Sequence, residues 1–115
     1  MIHQMKLFKE PFSRIKSGKK VIEVRLFDEK RSKIKINDEI VFSLADDMKE
    51  QIKANVVGIV RFNTFKELYS AFHFNMFGHP EGTNLENQLK DIRQIYSEEE
   101  ERKYGAVAIL IKPIE

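Results

Sequence analysis

The chain has 115 residues, of which 42% are hydrophobic and 33% charged, and its formal net charge is +2. These values predict one globular domain over residues 1–115, with a core large enough to fold without a metal or a disulfide. The absence of cysteine excludes a disulfide framework, a thiolate zinc site and a cysteine nucleophile.

The charge is unevenly distributed along the chain. Residues 14–35 contain nine basic and three acidic side chains, a net charge of +6, whereas residues 81–115 contain eight acidic and five basic ones, a net charge of −3. Such a separation can steer a polyanion to one side of a protein. Two solvated faces are an equally good interpretation of the same pattern.

Two segments bear on cellular location. Residues 1–6 contain no long apolar run, so we expect no signal peptide. The apolar stretch at residues 106–111 is far shorter than the roughly 20 residues that span a bilayer. We therefore expect a cytoplasmic protein without membrane contact.

The first third of the chain predicts two strands around a short helix. Met5 to Phe8 is typical of a strand, and Pro11 to Ser17 of a helix that stops at Gly18. Val21 to Leu26 alternates, so a strand there would turn Ile22, Val24 and Leu26 to the core and Glu23 and Arg25 to the opposite face.

The rest of the chain predicts three more strands and three helices. Asn37 and Asp38 form a turn pair in which Asn37 can take a positive φ, and Gly58 marks a candidate bulge. Helix caps are predicted from Thr64 with Glu67, from Asn84, and from Ser97 with Glu100. The predicted elements are strands at Ile40–Leu44, Ala54–Phe62 and Gly105–Lys112, a helix at Phe65–Phe72, a helix with the apolar stripe Leu85, Leu89, Ile92 and Ile95, and a helix that begins in Glu98–Glu101. This order favours an α+β domain built on a small barrel.

The strongest local motif is residues 18–25, GKKVIEVR, in which Gly-x-Lys-x-x-Glu-x-Arg follows a short helix and enters a strand. It resembles the signature of the ASCH family, whose fold is similar to that of the PUA domain. Residues 35–42 (KINDEIVF), residues 64–68 (TFKEL) and the ending at 95–109 are also similar, although many relatives have glycine at Asn37. The resemblance implies a PUA-like small mixed β-barrel with flanking short helices, in a small stand-alone prokaryotic-type member that binds RNA or a nucleotide.

The chemistry of the motif is consistent with a nucleotide ligand. Glu23 offers carboxylate acceptors beside the five N–H donors of Arg25, so the pair can bind an exocyclic amine and a phosphate or carbonyl edge. Lys20 can reach the same cleft as a point charge or a proton-transfer group. From spacing alone, an exposed ion pair without function is the simpler interpretation; the resemblance favours a ligand site.

The resemblance also raises two enzymatic alternatives, in which Lys20 and Glu23 would be catalytic. Some ASCH proteins are amidohydrolases that deacetylate acetylcytidine with a lysine, a threonine nucleophile and a glutamate. Lys20 matches the lysine, but Glu23 stands at the threonine position and has no hydroxyl, and residues 72–77 (FHFNMF) contain no carboxylate. We do not expect that route. Metal-free ribonuclease activity, known from another branch, stays open, as does a protein-interaction module with a vestigial cleft.

The remaining candidates are less specific. His73 and His79 lack the spacing of a metal site, and we expect no metal and no cofactor. The aromatic residues between them indicate packing beneath a loop, or alternatively a mobile lid in which Phe74 or Phe77 stacks on a base. Either Tyr96 or Tyr104 can line the cleft. We predict Tyr104 and Lys33 as ligand-binding residues, with Lys33 a phosphate contact from the basic loop at residues 30–35; solvated loop charge is the alternative.

Overall fold

The computed structural model describes residues 1–47 and 49–114. In chain order its strands are β1 (Ile2–Leu7), β2 (Ile22–Leu26), β3 (Glu39–Leu44), β4 (Gln51–Phe62) and β5 (Ala106–Pro113). Its helices are α1 (Lys9–Lys16), α2 (Glu29–Ser32), α3 (Phe65–Ala71), α4 (Leu85–Arg93) and α5 (Glu98–Tyr104), with a 3₁₀ turn at Phe74–Met76.

The five strands form one curled half-barrel sheet in the order β1-β3-β4-β5-β2. β1 pairs with β3 in parallel, and the other three pairings are antiparallel. The strands β1 and β2 are therefore the two edges of the sheet. This is the predicted α+β, PUA-like architecture, and the curl brings the two edges towards each other.

Apolar side chains cover both faces of the sheet. One core contains Phe12 and Ile15 of α1 together with residues of β1, β3, β4 and β5. The second core lies on the other face, where Phe65 and Leu68 of α3 and Ile92 of α4 pack on β2 and β5. Helices α3 and α4 thus cover one face of the sheet, and α1 covers the other.

Most predicted elements are confirmed, with shifted ends. β1 begins at Ile2 rather than Met5, because Ile2 already pairs with Glu39 at the start of the parallel pairing between β1 and β3. The predicted bulge is present, since the register of β4 against β5 shifts between Val56 and Gly58. Asn37 has the positive φ expected of its turn, 80°. The basic segment at residues 30–35 was expected to be a loop, but its first part forms α2, whose N-cap Asp28 accepts a hydrogen bond from the Arg31 amide.

The predicted helix caps are also present. Thr64 caps α3, Asn84 caps α4, and Ser97 with Glu100 forms a complete capping box at α5. Glu101 has a role that the capping pattern does not reveal. It is buried, accepts a hydrogen bond from the Phe65 amide at 2.6 Å, and pairs with Arg93 at 2.9 Å. This carboxylate thus fixes α5 against the start of α3.

Candidate functional site

The site is built on the edge strand β2. In the antiparallel pairing with β5, Glu23 lies opposite Ile109 and Arg25 opposite Val107, so these side chains share one face of the sheet. Ile22 and Leu26 point to the other face, into the second core. The predicted alternation is confirmed. This face is only partly open to solvent, because Lys6 of β1 and Arg14 of α1 border it.

Three charged side chains meet on this face. Lys20 Nζ lies 2.8 Å from one carboxylate oxygen of Glu23, and Arg25 Nε donates to the other at 2.6 Å. Glu23 is only 3% exposed, while the side chains of Lys20 and Arg25 are 12% and 13% exposed. The triad is therefore a largely desolvated ion cluster, and the alternative of an exposed surface ion pair is wrong.

The cluster controls the protonation of its members. Burial by itself raises the pKa of Glu23, but the charges of Lys20 and Arg25 and their hydrogen bonds outweigh it and lower the pKa from 4.5 to about 2. For Arg25, burial lowers the pKa, but the charge of Glu23 more than offsets this and raises it above its ordinary value. Glu23 is consequently a carboxylate, and Arg25 a cation, throughout the neutral range.

A cleft of about 700 Å³ lies over the triad. Cavities of this volume, largely apolar with a few convergent polar groups, are typical of small-molecule sites. Aromatic rings line its walls, and Phe8, whose side chain is 69% exposed, and Ile95, 56% exposed, lie at its mouth. The aromatic lining consists of Phe8, Tyr69, Phe77, His79 and Tyr96. Ile95 was expected on the apolar stripe of α4, but it follows the helix and lines the cleft instead.

The segment 73–79 forms one side of the cleft. The Val21 amide donates to the Met76 carbonyl at 2.9 Å, and Lys20 and Phe77 form an isolated β-bridge. Gly78 makes this approach possible, because it has a φ of 80° and an added Cβ would lie 3.0 Å from Lys20 Cβ. Phe77 is buried in the second core, which agrees with the packing interpretation and not with a mobile ring.

His79 is the titratable group of that segment. Its Nδ1 lies 3.1 Å from the side-chain amide nitrogen of Gln88, which is buried. Burial first, and then the positive charges of Arg14 and Lys20, lower the pKa of His79 below its ordinary value. The imidazole that lines the cleft is therefore neutral at neutral pH. His73, in contrast, is exposed and does not line the cleft.

Two predicted site residues lie elsewhere. Lys33 and Tyr104 line a separate shallow depression beside Met1, His3 and α2, and neither contributes to the cleft over the triad. Within residues 1–47 and 49–114, no group of three or more His, Asp or Glu side chains is arranged to hold a metal ion.

Several cleft residues were not identified from the sequence. Arg14 belongs to α1, Tyr69 to α3, and Gln88 to α4, and all three line the cleft. Tyr69 lies on the buried side of α3 with Phe65 and Leu68. No local pattern in the sequence, however, indicates which cavity its ring faces. Phe8 was assigned to the end of the first strand.

The chain and its fold have counterparts among known proteins. The ASCH domain family model matches residues 5–115. The chain is similar to the crystal structure of the hypothetical protein PH0355, with 42% identity, a TM-score of 0.88, and coverage of 99% of this chain and 100% of that one. It is also similar to the solution structure of protein PF0455 from Pyrococcus furiosus, with 37% identity, a TM-score of 0.75, and coverage of 100% and 99%.

A more distant similarity concerns the fold alone. The crystal structure of ASCH from Zymomonas mobilis has 20% identity and a TM-score of 0.67, with coverage of 99% of this chain and 71% of that one. No curated protein matches the chain. Among the described residues, no helix is both long and apolar enough to cross a membrane.

Proposed function

The chain belongs to the ASCH domain family, and from that premise we propose that its cleft binds a nucleotide, either free or as one unit of RNA. The observation that carries the proposal is the ionised carboxylate of Glu23, fixed between Lys20 and Arg25 at the base of an aromatic cleft. A nucleotide combines a planar base, hydrogen-bonding edges and an anionic phosphate, and the cleft has a matching group for each.

The triad has unused hydrogen-bonding capacity. An ammonium group has three N–H donors, a guanidinium group has five, and a carboxylate accepts about four hydrogen bonds. Among the contacts of the described residues, Lys20 uses one donor on Glu23, and Arg25 donates to Glu23, to the Lys6 carbonyl and to the side chain of Tyr96. Donors and acceptors therefore remain side by side, the pattern that a base edge requires.

The remaining parts of a nucleotide also have candidates in the cleft. Phe8, which is exposed, and Tyr96, which is half-buried, supply flat apolar surface, and a base stacked on such a ring gains roughly 1–3 kcal/mol. Lys6, Lys9 and Arg14 line the same cavity and can neutralise a phosphate. Four carboxylates line it as well, from Glu10, Glu23, Asp46 and Asp91, so the cationic excess is small.

The same geometry weighs against the alternatives. A general base works best with a pKa near neutrality, whereas the pKa of Glu23 is lowered to about 2 and both its oxygens are already bound. A hydrolase that relies on Glu23 for proton transfer is therefore disfavoured. A vestigial cleft predicts a filled, flat surface around Glu23 and Arg25, which a cavity of about 700 Å³ does not match.

Titration of the four ribonucleoside monophosphates, followed by amide chemical shifts, tests the proposal. We expect the largest shifts at residues 20–25 and at Tyr96. Lys20→Met should lower the affinity for the tightest-binding of the four nucleotides at least about tenfold, because a positive charge beside the ligand is lost. Lys66→Met removes an exposed lysine of α3 outside the cleft and serves as the control. Shifts scattered over the surface, or equal affinity of the two variants, would reject the nucleotide site.

A further inference from the structure

The cleft has a second polar wall, which comes from other parts of the chain than the triad. It consists of Tyr69 of α3, Gln88 of α4 and His79, which follows the 3₁₀ turn, and we call these three residues the neutral wall. Tyr69 is 8% exposed and Gln88 4%, so both side chains are more than nine-tenths buried. The three are contiguous, because the rings of Tyr69 and His79 lie 6.3 Å apart and Nδ1 of His79 lies 3.1 Å from Nε2 of Gln88.

No member of the neutral wall carries a charge at neutral pH. Burial first, and then the charges of Glu23 and Asp91, raise the pKa of Tyr69, so its hydroxyl keeps its proton. The pKa of His79 is lowered, and Gln88 does not titrate. Because the amide nitrogen of Gln88 can only donate, Nδ1 of His79 accepts and the ring proton lies on Nε2. The wall therefore offers uncharged donors and acceptors to a ligand, and no counter-ion for a phosphate.

Two polar atoms of the neutral wall lack a protein partner among the described residues. The Tyr69 hydroxyl makes no hydrogen bond, and Gln88 makes one through its amide nitrogen, which leaves its Oε1 oxygen without a donor. Within residues 1–47 and 49–114, the only unpartnered side-chain atom that solvent cannot reach is Nε of Arg31. Both wall atoms are therefore accessible, and the cavity that their residues line is the cleft.

The positions of these two residues on their helices indicate a role beyond packing. Gln88 lies on the apolar stripe of α4, three residues after Leu85 and four before Ile92, and Tyr69 lies with Phe65 on the buried side of α3. Methionine and phenylalanine would fill such positions, whereas a buried amide or hydroxyl destabilises a fold unless it is hydrogen-bonded. A ligand that bonds to both atoms removes that cost, and ordered water in the cleft is the alternative.

We propose that the neutral wall determines which base the cleft accepts, with Tyr69 and Gln88 hydrogen-bonded to one edge of the base while the triad meets another. This inference rests on the proposed nucleotide site and extends it from binding to discrimination between bases. The edges of bases carry fixed donors and acceptors, and a side-chain amide pairs with them through both of its polar atoms. A site with buried hydrogen-bonding groups rejects a ligand that leaves those groups unpaired. Sugar hydroxyls, in contrast, rotate to suit either partner and give no such discrimination.

The test compares wild type with the double variant Tyr69→Phe with Gln88→Met, which removes one hydroxyl and one amide but keeps the side-chain size. Affinities for the four ribonucleoside monophosphates and for ribose 5-phosphate are measured by titration. In wild type we expect the tightest and weakest nucleotides to differ at least about tenfold, and this ratio should fall at least about fivefold in the variant, since one uncharged hydrogen bond changes affinity by roughly that factor. Affinity for ribose 5-phosphate, which has no base, should change less than about twofold.

The matched control is the double variant Tyr104→Phe with Gln94→Met, at an exposed tyrosine and an exposed glutamine that do not line the cleft. Melting temperatures of both double variants should stay within about 2 °C of wild type. If the Tyr69 and Gln88 variant does not fold, Tyr69→Phe alone, which keeps the buried ring, gives the same comparison.

The outcomes separate the wall from the nucleotide site. Unchanged discrimination in the Tyr69 and Gln88 variant, or an equal fall in the control, would overturn the inference and leave the nucleotide site intact. An equal loss of affinity for ribose 5-phosphate would assign the wall to the sugar and overturn the inference as well. A wild type that binds none of the four nucleotides would reject the nucleotide site itself.

Discussion

Arg25 on one edge strand of the sheet donates a hydrogen bond to the backbone carbonyl of Lys6 on the other edge strand, at 3.1 Å. β1 and β2 are the first and last strands in the order of the sheet and do not pair with each other, so this hydrogen bond crosses the opening of the half-barrel. The guanidinium of Arg25 therefore joins the two edges of the half-barrel and also binds the buried carboxylate of Glu23. The residue proposed to bind the ligand also stabilises the fold.

This double role predicts a large loss of stability in Arg25→Ala. Removing one partner of a buried ion pair leaves an uncompensated charge, and we expect the free energy of unfolding to fall by about 3 kcal/mol. Urea denaturation at pH 7, followed by circular dichroism, measures it. Arg102→Ala is the matched control, because Arg102 is exposed on α5 and none of the described ion pairs includes it. A loss no greater than that of the control would contradict the structural role.

The lowered pKa of Glu23 predicts a pH-dependent stability. Its pKa is 4.5 when unperturbed and about 2 in the folded chain, so its contribution is complete above pH 4.5 and disappears as the pH falls towards 2. We expect wild type to lose about 3 kcal/mol relative to Glu23→Gln over that window. Thermal unfolding of both proteins between pH 2 and 7 measures the difference.

A second carboxylate titrates in the same window and needs its own control. Hydrogen bonds, first from His3 and then from the Lys35 amide, lower the pKa of Asp38 from 3.8 to about 2. The comparison should therefore be repeated in an Asp38→Asn background. A stability difference between wild type and Glu23→Gln that stays constant from pH 7 to pH 2 would show that Glu23 is not held ionised by its neighbours.

Phe8 offers a variant that separates binding from folding. Its ring is 69% exposed, so Phe8→Ala should change the unfolding free energy by less than about 0.5 kcal/mol. If a base stacks on it, affinity for a nucleotide or oligonucleotide should fall by about 1–3 kcal/mol. Val57→Ala, at an exposed residue of β4 outside the cleft, is the control for removal of apolar surface. Unchanged affinity in Phe8→Ala would exclude the ring from the binding site.

Gly78 links the segment 73–79 to the triad. Gly78→Ala adds a Cβ that would contact Lys20 Cβ and Arg14 Cδ at 3.0 Å, in a backbone conformation with a φ of 80°. Gly82→Ala shares the positive φ, 90°, but its Cβ meets nothing within 4 Å. Both should lose about 1 kcal/mol or more of stability from backbone strain. Only Gly78→Ala should also weaken nucleotide binding, measured by titration; equal binding by the two variants would show that the contact with Lys20 is unimportant.

The local structure of this chain could be predicted from its sequence. The alternation of Val21 to Leu26 placed Glu23 and Arg25 on one face, because successive side chains of any strand point to opposite sides. The caps at Thr64, Asn84 and Ser97 were predictable because a cap is a hydrogen bond between residues two or three positions apart. The motif that resembles the ASCH signature is likewise contained within eight residues.

The environment of those residues, in contrast, depends on how distant segments pack together. Glu23 is buried because β2 is an edge strand that the curled sheet brings opposite β1 and α1, and no local pattern encodes that approach. Tyr69 and Phe77 reach the cleft from segments more than forty residues away, whereas Lys33 and Tyr104, both predicted for the site, lie in another depression. The alternation of side chains along a strand repeats every two residues, so it can be derived from the sequence. A cavity is formed by contacts between distant segments, so its lining cannot be derived in the same way.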